Sequence, residues 1–339
     1  ADVTIDNGTT ALGLQGTVSG DLVLTSGDAI IDSDVLTVTG TTTVTTDVAD
    51  KAITLGSLAS TGNVIVSTLG TTGDVTIDNS DTVLGVQGTV SGDLVLTSGE
   101  TITDSGLLTV TGSTTVTTDV ADKAINLGSL ASTGNVIVST LGTTGNVTIY
   151  SGTTALGVQG TVSGDLVLTS GEAITDSDIL TVTGTTKVTT DVADKAINLG
   201  SLASTGNVIV STLGTTGNVT IDNGTTALGV QGTIGGDLVL TSGQAITDSG
   251  TLTASGSTTI DSGSADITLD EVASTFGTLS LTGANVAVTD AGATDLGAST
   301  VSGTLGITSG GAVTSSGKSA ITGVTTISAS GQAVSLTNA

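Results

Sequence analysis

SGDLVLTSGDAIIDSDVLTVTG, residues Ser19–Gly40, returns as SGDLVLTSGETITDSGLLTVTG from Ser91 and as SGDLVLTSGEAITDSDILTVTG from Ser163. A looser copy, GGDLVLTSGQAITDSGTLTASG, begins at Gly235. Asp21, Asp93, Asp165 and Asp237 mark the register, each 72 residues after the last, with no insertion or deletion between them. A fixed long period built from short alternating segments is the signature of a stacked-repeat architecture. Within the stretch, Leu22, Leu24, Ile30, Leu36 and Val38 are expected to be buried rungs, and Gly20, Gly27 and Gly40 to make corners.

Working outward, the first repeat alternates apolar residues with Thr, Ser or Asp at a period of two, as half-buried strands do. Val3-Thr4-Ile5, Ala11–Val18, Ala52–Leu58 and Val64-Ile65-Val66 all follow this pattern. Gly-bearing corners separate the segments, and no stretch has helical spacing. Asn-Gly, the strongest hairpin signal, occurs at Asn7-Gly8 and Asn223-Gly224 but is lost in the other copies, at Asn79-Ser80 and in the segment Tyr150-Ser151-Gly152. That loss argues against antiparallel hairpins and for a coil of parallel strands. The predicted fold is therefore all-β: a single-stranded parallel β-helix, or β-solenoid, running continuously over residues 1–339.

The repeats are read as 1–72, 73–144, 145–216, a shortened 217–284 and a partial 285–339. Each is expected to make three turns of unequal length, breaking near Gly20, Gly40 and Gly62; four shorter turns also fit. At the usual interstrand spacing, ~14–17 turns would give a rod of roughly 65–80 Å.

Composition agrees with a narrow, repetitive core. Tyr150 and Phe276 are the chain's two aromatics, and Pro, Cys, Met, Trp and His are absent. Val, Ile, Leu and Ala must fill the interior. A mean hydropathy of +0.43 excludes disorder despite 50 glycines, because disordered chains combine low hydrophobicity with high charge. The net charge is −26, with Lys51, Lys123, Lys187, Lys195 and Lys318 as the cationic side chains. Such a surface repels phosphate, so no nucleic-acid partner is expected, and no apolar run is long enough for membrane insertion by a helix. The opening residues, ADVTIDNGTT, contain no basic or apolar signal segment.

Lack of His and Cys removes the commonest bases, nucleophiles and soft metal ligands, and no enzyme is predicted. The paired carboxylates Asp32/Asp34 and Asp176/Asp178 have the residue types of glycoside hydrolysis. They sit in corner-like segments, however, and Asp34 becomes Gly106 in the next copy. The motif DVADK supplies weak Ca²⁺ candidates: Asp47 and Asp50, Asp119 and Asp122, Asp191 and Asp194. Since the Gly/Asp nonapeptide of calcium-binding β-rolls does not occur, loose Ca²⁺ association is expected and no cofactor. The plain reading of DVADK is an exposed corner with a local ion pair to Lys51, Lys123 or Lys195. The Thr-rich run Leu36–Thr46 raises ice binding, which would require a Thr ladder on every turn.

Residues Thr258–Ala339 include ITLDEVASTFGTLSLTGANVAVTDAGATDLGASTVSGTLGITSGGAVTSSG. Together with AITDSG and LTVTGTTT in the earlier copies, this resembles the repeat region of filamentous-haemagglutinin-like exoproteins of Gram-negative bacteria. The resemblance covers the whole chain. It implies a right-handed parallel β-helix, export by two-partner secretion, and a role as adhesin or matrix fibre at the cell surface or outside the cell. No export domain or receptor-binding module is recognisable, so the chain reads as a segment or processed piece of something longer. Both termini lie in strand-like sequence without a cap, which predicts association with other copies end to end or laterally, besides contact with a host or neighbouring-cell surface. The leading function is thus a structural adhesin stalk, filament or matrix. The alternative is a module whose Thr/Asp faces bind carbohydrate or ice, and a polysaccharide-active enzyme comes third.

Overall fold

The computed structural model describes residues 1–337, and among these there are 39 strands and no helix. The strands pair in parallel and stack as a β-solenoid of about 17 turns in all. The chain forms two compact units, Ala1–Ser170 and Gly171 onward.

In the first unit the opening repeat contains β1 (Val3–Asp6), β2 (Leu12–Val18), β3 (Leu22–Ser26), β4 (Ile30–Val38), β5 (Thr42–Ala49), β6 (Ile53–Leu55), β7 (Leu58–Ser60) and β8 (Val64–Leu69). β1, β3, β5 and β8 pair successively in one sheet. In the opposite sheet β4 pairs with β2 on one side, and with both β6 and β7 on the other. Every turn therefore contributes one strand, or one broken strand, to each sheet. Val3 stacks on Leu22, Leu22 on Thr42 and Thr42 on Val64, so a turn takes 19 to 22 residues.

The expectation of three turns per repeat is corrected here. β9 (Val75–Asp78) is the copy of β1, yet it pairs with β6 and with Leu94–Ser98, in the opposite sheet from β1. The following copy, Val147–Tyr150, returns to the sheet of β1 through Leu84–Val90, Ile102–Val110 and Ile125–Leu127. One repeat thus spans seven half-turns, or three and a half turns. Identical sequences appear on alternate sheets, and the structure itself repeats only after two copies. The second unit behaves in the same way: Val219–Asp222 and its shortened-spacing copy Val286–Asp290 lie in opposite sheets.

Strand periodicity places Leu22, Leu24, Ile30, Leu36 and Val38 inside, at 0–1% exposure. Fully burying a Val, Leu or Ile side chain is worth about 1.5–3 kcal/mol, and each turn contributes several. At the ends of the sheets the inward residue is a hydroxyl. Ser26 Oγ donates to Thr10 O (2.8 Å), Thr46 Oγ1 to Lys51 O (3.3 Å) and Thr68 Oγ1 to Gly73 O (2.8 Å). These side chains let the core end at a corner without leaving corner carbonyls unpartnered, which would be costly in a dry interior.

Corners stack as closely as the strands do. A Cβ on Gly62 would collide with the Gly40 carbonyl and the Thr41 amide of the turn before, both fixed backbone atoms. Gly56, in the turn between β6 and β7, faces open space. Gly62→Ala is therefore expected to lose about 2 kcal/mol or more, while Gly56→Ala stays within about 0.5 kcal/mol, measured by urea denaturation of each variant. Equal losses would contradict the close stacking of corners.

Candidate functional site

The acidic residues that recur with the repeat lie chiefly at corners, and most have a defined partner on the next turn. Asp2 Oδ1 accepts from Asp21 N (3.0 Å), and Asp21 Oδ1 accepts from Thr41 N (2.8 Å). Asp32 receives the amides of Gly56 and Ser57 at 2.9 and 2.8 Å, and Asp104 and Asp176 take the same pair of amides in their own repeats. Asp34 instead accepts from the neighbouring Val35 amide (2.8 Å). The residue types suggestive of paired-carboxylate chemistry are thus held against backbone amides.

Of the Ca²⁺ candidates, Asp50, Asp122 and Asp194 have left-handed backbones with φ of 61–64°. Each directs one carboxylate oxygen at two successive amides of the next turn: Thr71 and Thr72, Thr143 and Thr144, Thr215 and Thr216. Those hydrogen bonds hold the three carboxyls below their ordinary pKa. Asp47, Asp119 and Asp191 are exposed, three residues earlier on each strand. Among the described residues no group of three or more His, Cys, Asp or Glu side chains is placed to hold a metal ion. The local ion pair expected within DVADK is also corrected. Lys51 reaches back one turn to Asp28 (3.0 Å), Lys123 to Glu100 (2.6 Å) and Lys195 to Glu172 (2.7 Å). Each pair is partly exposed, so solvent screening leaves it only a small contribution to stability.

Where position 74 of one repeat is Asp, its copies are Asn146 and Asn218. All three accept the same amide of the next turn, at 2.8–2.9 Å. The position requires an acceptor of Asx shape and no charge.

The outward faces are mixed. Across β1, β3, β5, β8 and Leu84–Val90, one lane reads Thr4, Val23, Thr43, Ile65, Gln87, and its neighbour reads Asp6, Thr25, Thr45, Ser67, Thr89. Hydroxyls fill much of one lane, while apolar residues and Gln interrupt the other.

One surface feature escaped the alternation rule. Between Leu14↔Asp32 and Gly16↔Leu36 the register shifts, so that Gln15 alone faces Ser33, Asp34 and Val35. This bulge pushes Val35 outward to 55% exposure, and its copies Leu107 and Ile179 reach 65% and 62%. The signal in the sequence is the adjacent apolar pair: Val35-Leu36, Leu107-Leu108 and Ile179-Leu180 cannot both point inward on a strand. Each of the latter two bulges rims a shallow groove. One, of about 280 Å³, involves Leu107, Gly128–Ala131 and Tyr150–Thr153; the other, of about 330 Å³, involves Ile179, Gly200–Ala203 and Asp222–Thr226.

A family of repeats of unknown function (DUF5649) matches residues 1–71, 72–140, 144–215, 216–282 and 283–339. The chain belongs to this family. No curated protein and no solved structure matches it. Stacked copies of a DUF5649 repeat, joined turn to turn by Asp and Asn acceptors and by the lysine pairs, account for the recurrent acidic positions described above except the locally bonded Asp34 and the exposed Asp47, Asp119 and Asp191.

Two opposing pH effects follow. Asp50, Asp122 and Asp194 lie below the ordinary 3.8 when folded. The stability they contribute is complete above that value and is lost as pH falls through their lowered folded pKa. Burial raises Asp176, Asp248 and Asp290 above 3.8, so their cost is relieved as pH falls from neutral through those raised values. The melting temperature is expected to hold or rise from pH 7 to about 4, and to fall below about 3.8; a steady decline from pH 7 would contradict the assignment. At neutral pH, Asp74→Asn should leave it unchanged, whereas Asp74→Ala should lower it by roughly 2 °C.

Proposed function

We propose that this DUF5649 chain is a structural repeat segment of an extracellular or cell-surface protein of a Gram-negative bacterium. In this reading it forms part of an adhesin stalk, surface filament or matrix, as the repeat regions of filamentous-haemagglutinin-like exoproteins do. The observation that supports it best is the use made of polar side chains. Recurrent Asp and Asn carboxyl and amide oxygens accept amides of the next turn, and three of the five lysines pair with an acidic residue one turn away. Chemistry that elsewhere builds an active site here joins one turn to another. The proposal includes no catalytic role and no cofactor beyond loosely held Ca²⁺. Its partners are other copies of the chain and a host or neighbouring-cell surface, with no nucleic acid and no membrane insertion.

A support of this kind should resist force and yield turn by turn. Pulled from its ends in a single-molecule force experiment, the chain is expected to lengthen in steps of whole turns, on the order of 7 nm each. Extension in one featureless phase at low force would overturn the structural reading, as would release of reducing sugar from an acidic polysaccharide. Surface immunolabelling of the producing cell tests the location independently.

A further inference from the structure

The corner after Val147-Thr148-Ile149 abandons a capping rule that the first, second and fourth copies keep. Asp6, Asp78 and Asp222 each accept the N–H two residues on, from Gly8, Ser80 and Gly224, at 2.9 Å. The third repeat has Tyr150 at this position. The Gly152 N–H, donor of the missing bond, has no acceptor among the described residues and is half-exposed.

The next residue changes as well. Asn79 and Asn223 are fully buried and make four hydrogen bonds each: one accepted by Oδ1 and three donated by Nδ2 to carbonyls. Ser151 replaces this network with a single hydroxyl contact to Thr154 Oγ1 (2.7 Å). Farther along, Thr153 stands where the second repeat has Asp81. The corner has therefore lost both carboxylates of its counterpart and much of its internal bonding. Nothing in the core compensates, because Tyr150 is 40% exposed.

What Tyr150 gains is a place on the 280 Å³ groove, together with Leu107, Ser129 and Thr153. An exposed aromatic ring and an exposed Leu give apolar surface. The Gly152 N–H and the exposed hydroxyls of Ser129 and Thr153, which have no intramolecular partner among the described residues, give directional hydrogen bonding. A ligand matching this set presents a flat C–H face and several hydroxyls. It carries no negative charge, which a chain of net charge −26 would repel.

We infer that the Tyr150 groove is a binding subsite for a neutral hexopyranose unit of a glycan. Tyr150 stacks on the sugar face, Leu107 packs against it, and Gly152 N, Ser129 Oγ and Thr153 Oγ1 engage its hydroxyls. The site is an addition to the structural role and does not depend on it. The second unit's groove has Asp222 in place of Tyr150, keeps its cap and lacks the ring.

Tyr150 is the chain's one tyrosine and there is no tryptophan, so tyrosine emission reports on this site alone. The intact chain would be titrated with cellohexaose and maltohexaose, and with a hexamer of galacturonate as the acidic comparison. At least one neutral hexasaccharide is expected to change the emission saturably, with a Kd of about 1 mM or tighter, and calorimetry should give the same value. Tyr150→Asp restores the cap and should melt no lower than the parent, while weakening binding by about tenfold or more in calorimetry. Tyr150→Phe should bind within about threefold of the parent. The assignment is overturned if neither neutral sugar gives a saturable change up to about 10 mM, if the acidic hexamer binds tighter, or if Tyr150→Asp binds equally well. An emission change that follows protein concentration alone would name a second copy as the occupant and overturn it too.

Discussion

The structure depends on a hydrogen bond between successive turns that is not part of any strand ladder: the backbone N–H at a corner, given to an Asp or Asn oxygen of the turn before. A parallel coil satisfies its backbone within strands automatically. At the corners the chain changes direction and the ladder stops, leaving amides that must find another acceptor. A short carboxyl or carboxamide side chain one turn away has the right reach, and Asp2, Asp21, Asp32, Asp50 and Asp74 each supply it. The same need explains a surface that is acidic without being reactive. Interchange of Asp74 with Asn146 and Asn218 shows that the acceptor matters more than its charge.

Stacked corners impose a second constraint, because backbone lies directly on backbone. Gly62 sits over Gly40 with no space for a Cβ. The hydroxyl-ended core belongs to the same solution. Ser26, Thr46 and Thr68 are small enough to end a narrow interior and polar enough to bind the carbonyls that the corner exposes. An interior of Val, Leu, Ile, Thr and Ser layers needs no aromatic side chain, so the two exceptions stand out. Phe276 is 7% exposed and belongs to the core, whereas Tyr150 lies on the surface.

Three and a half turns per repeat has a consequence for presentation. Because each copy begins on the sheet opposite its predecessor, bulges such as those at Val35 and Leu107 emerge in alternate sheets within the first unit. A surface feature encoded once per repeat is thereby distributed over both faces.

Strand period, parallel coiling, the buried rungs Leu22, Leu24, Ile30, Leu36 and Val38, and the glycine corners were all legible in the sequence. Each follows from local alternation and from an uninterrupted 72-residue register. The number of turns per repeat was not legible, since a period along the chain carries no information about which sheet a segment joins; only the pairing of β9 with β6 decides that. Partner choice at the corners was hidden for the same reason. Asp50 and Lys51 are sequence neighbours and invite a local ion pair, but stacking brings Asp28 to Lys51 and the Thr71 and Thr72 amides to Asp50. The sequence by itself determined a repeating β coil, because alternation and glycine spacing act within a few residues. Tertiary structure alone decided what each acidic side chain does and which bulge residues reach solvent, because those depend on contacts between residues about twenty positions apart.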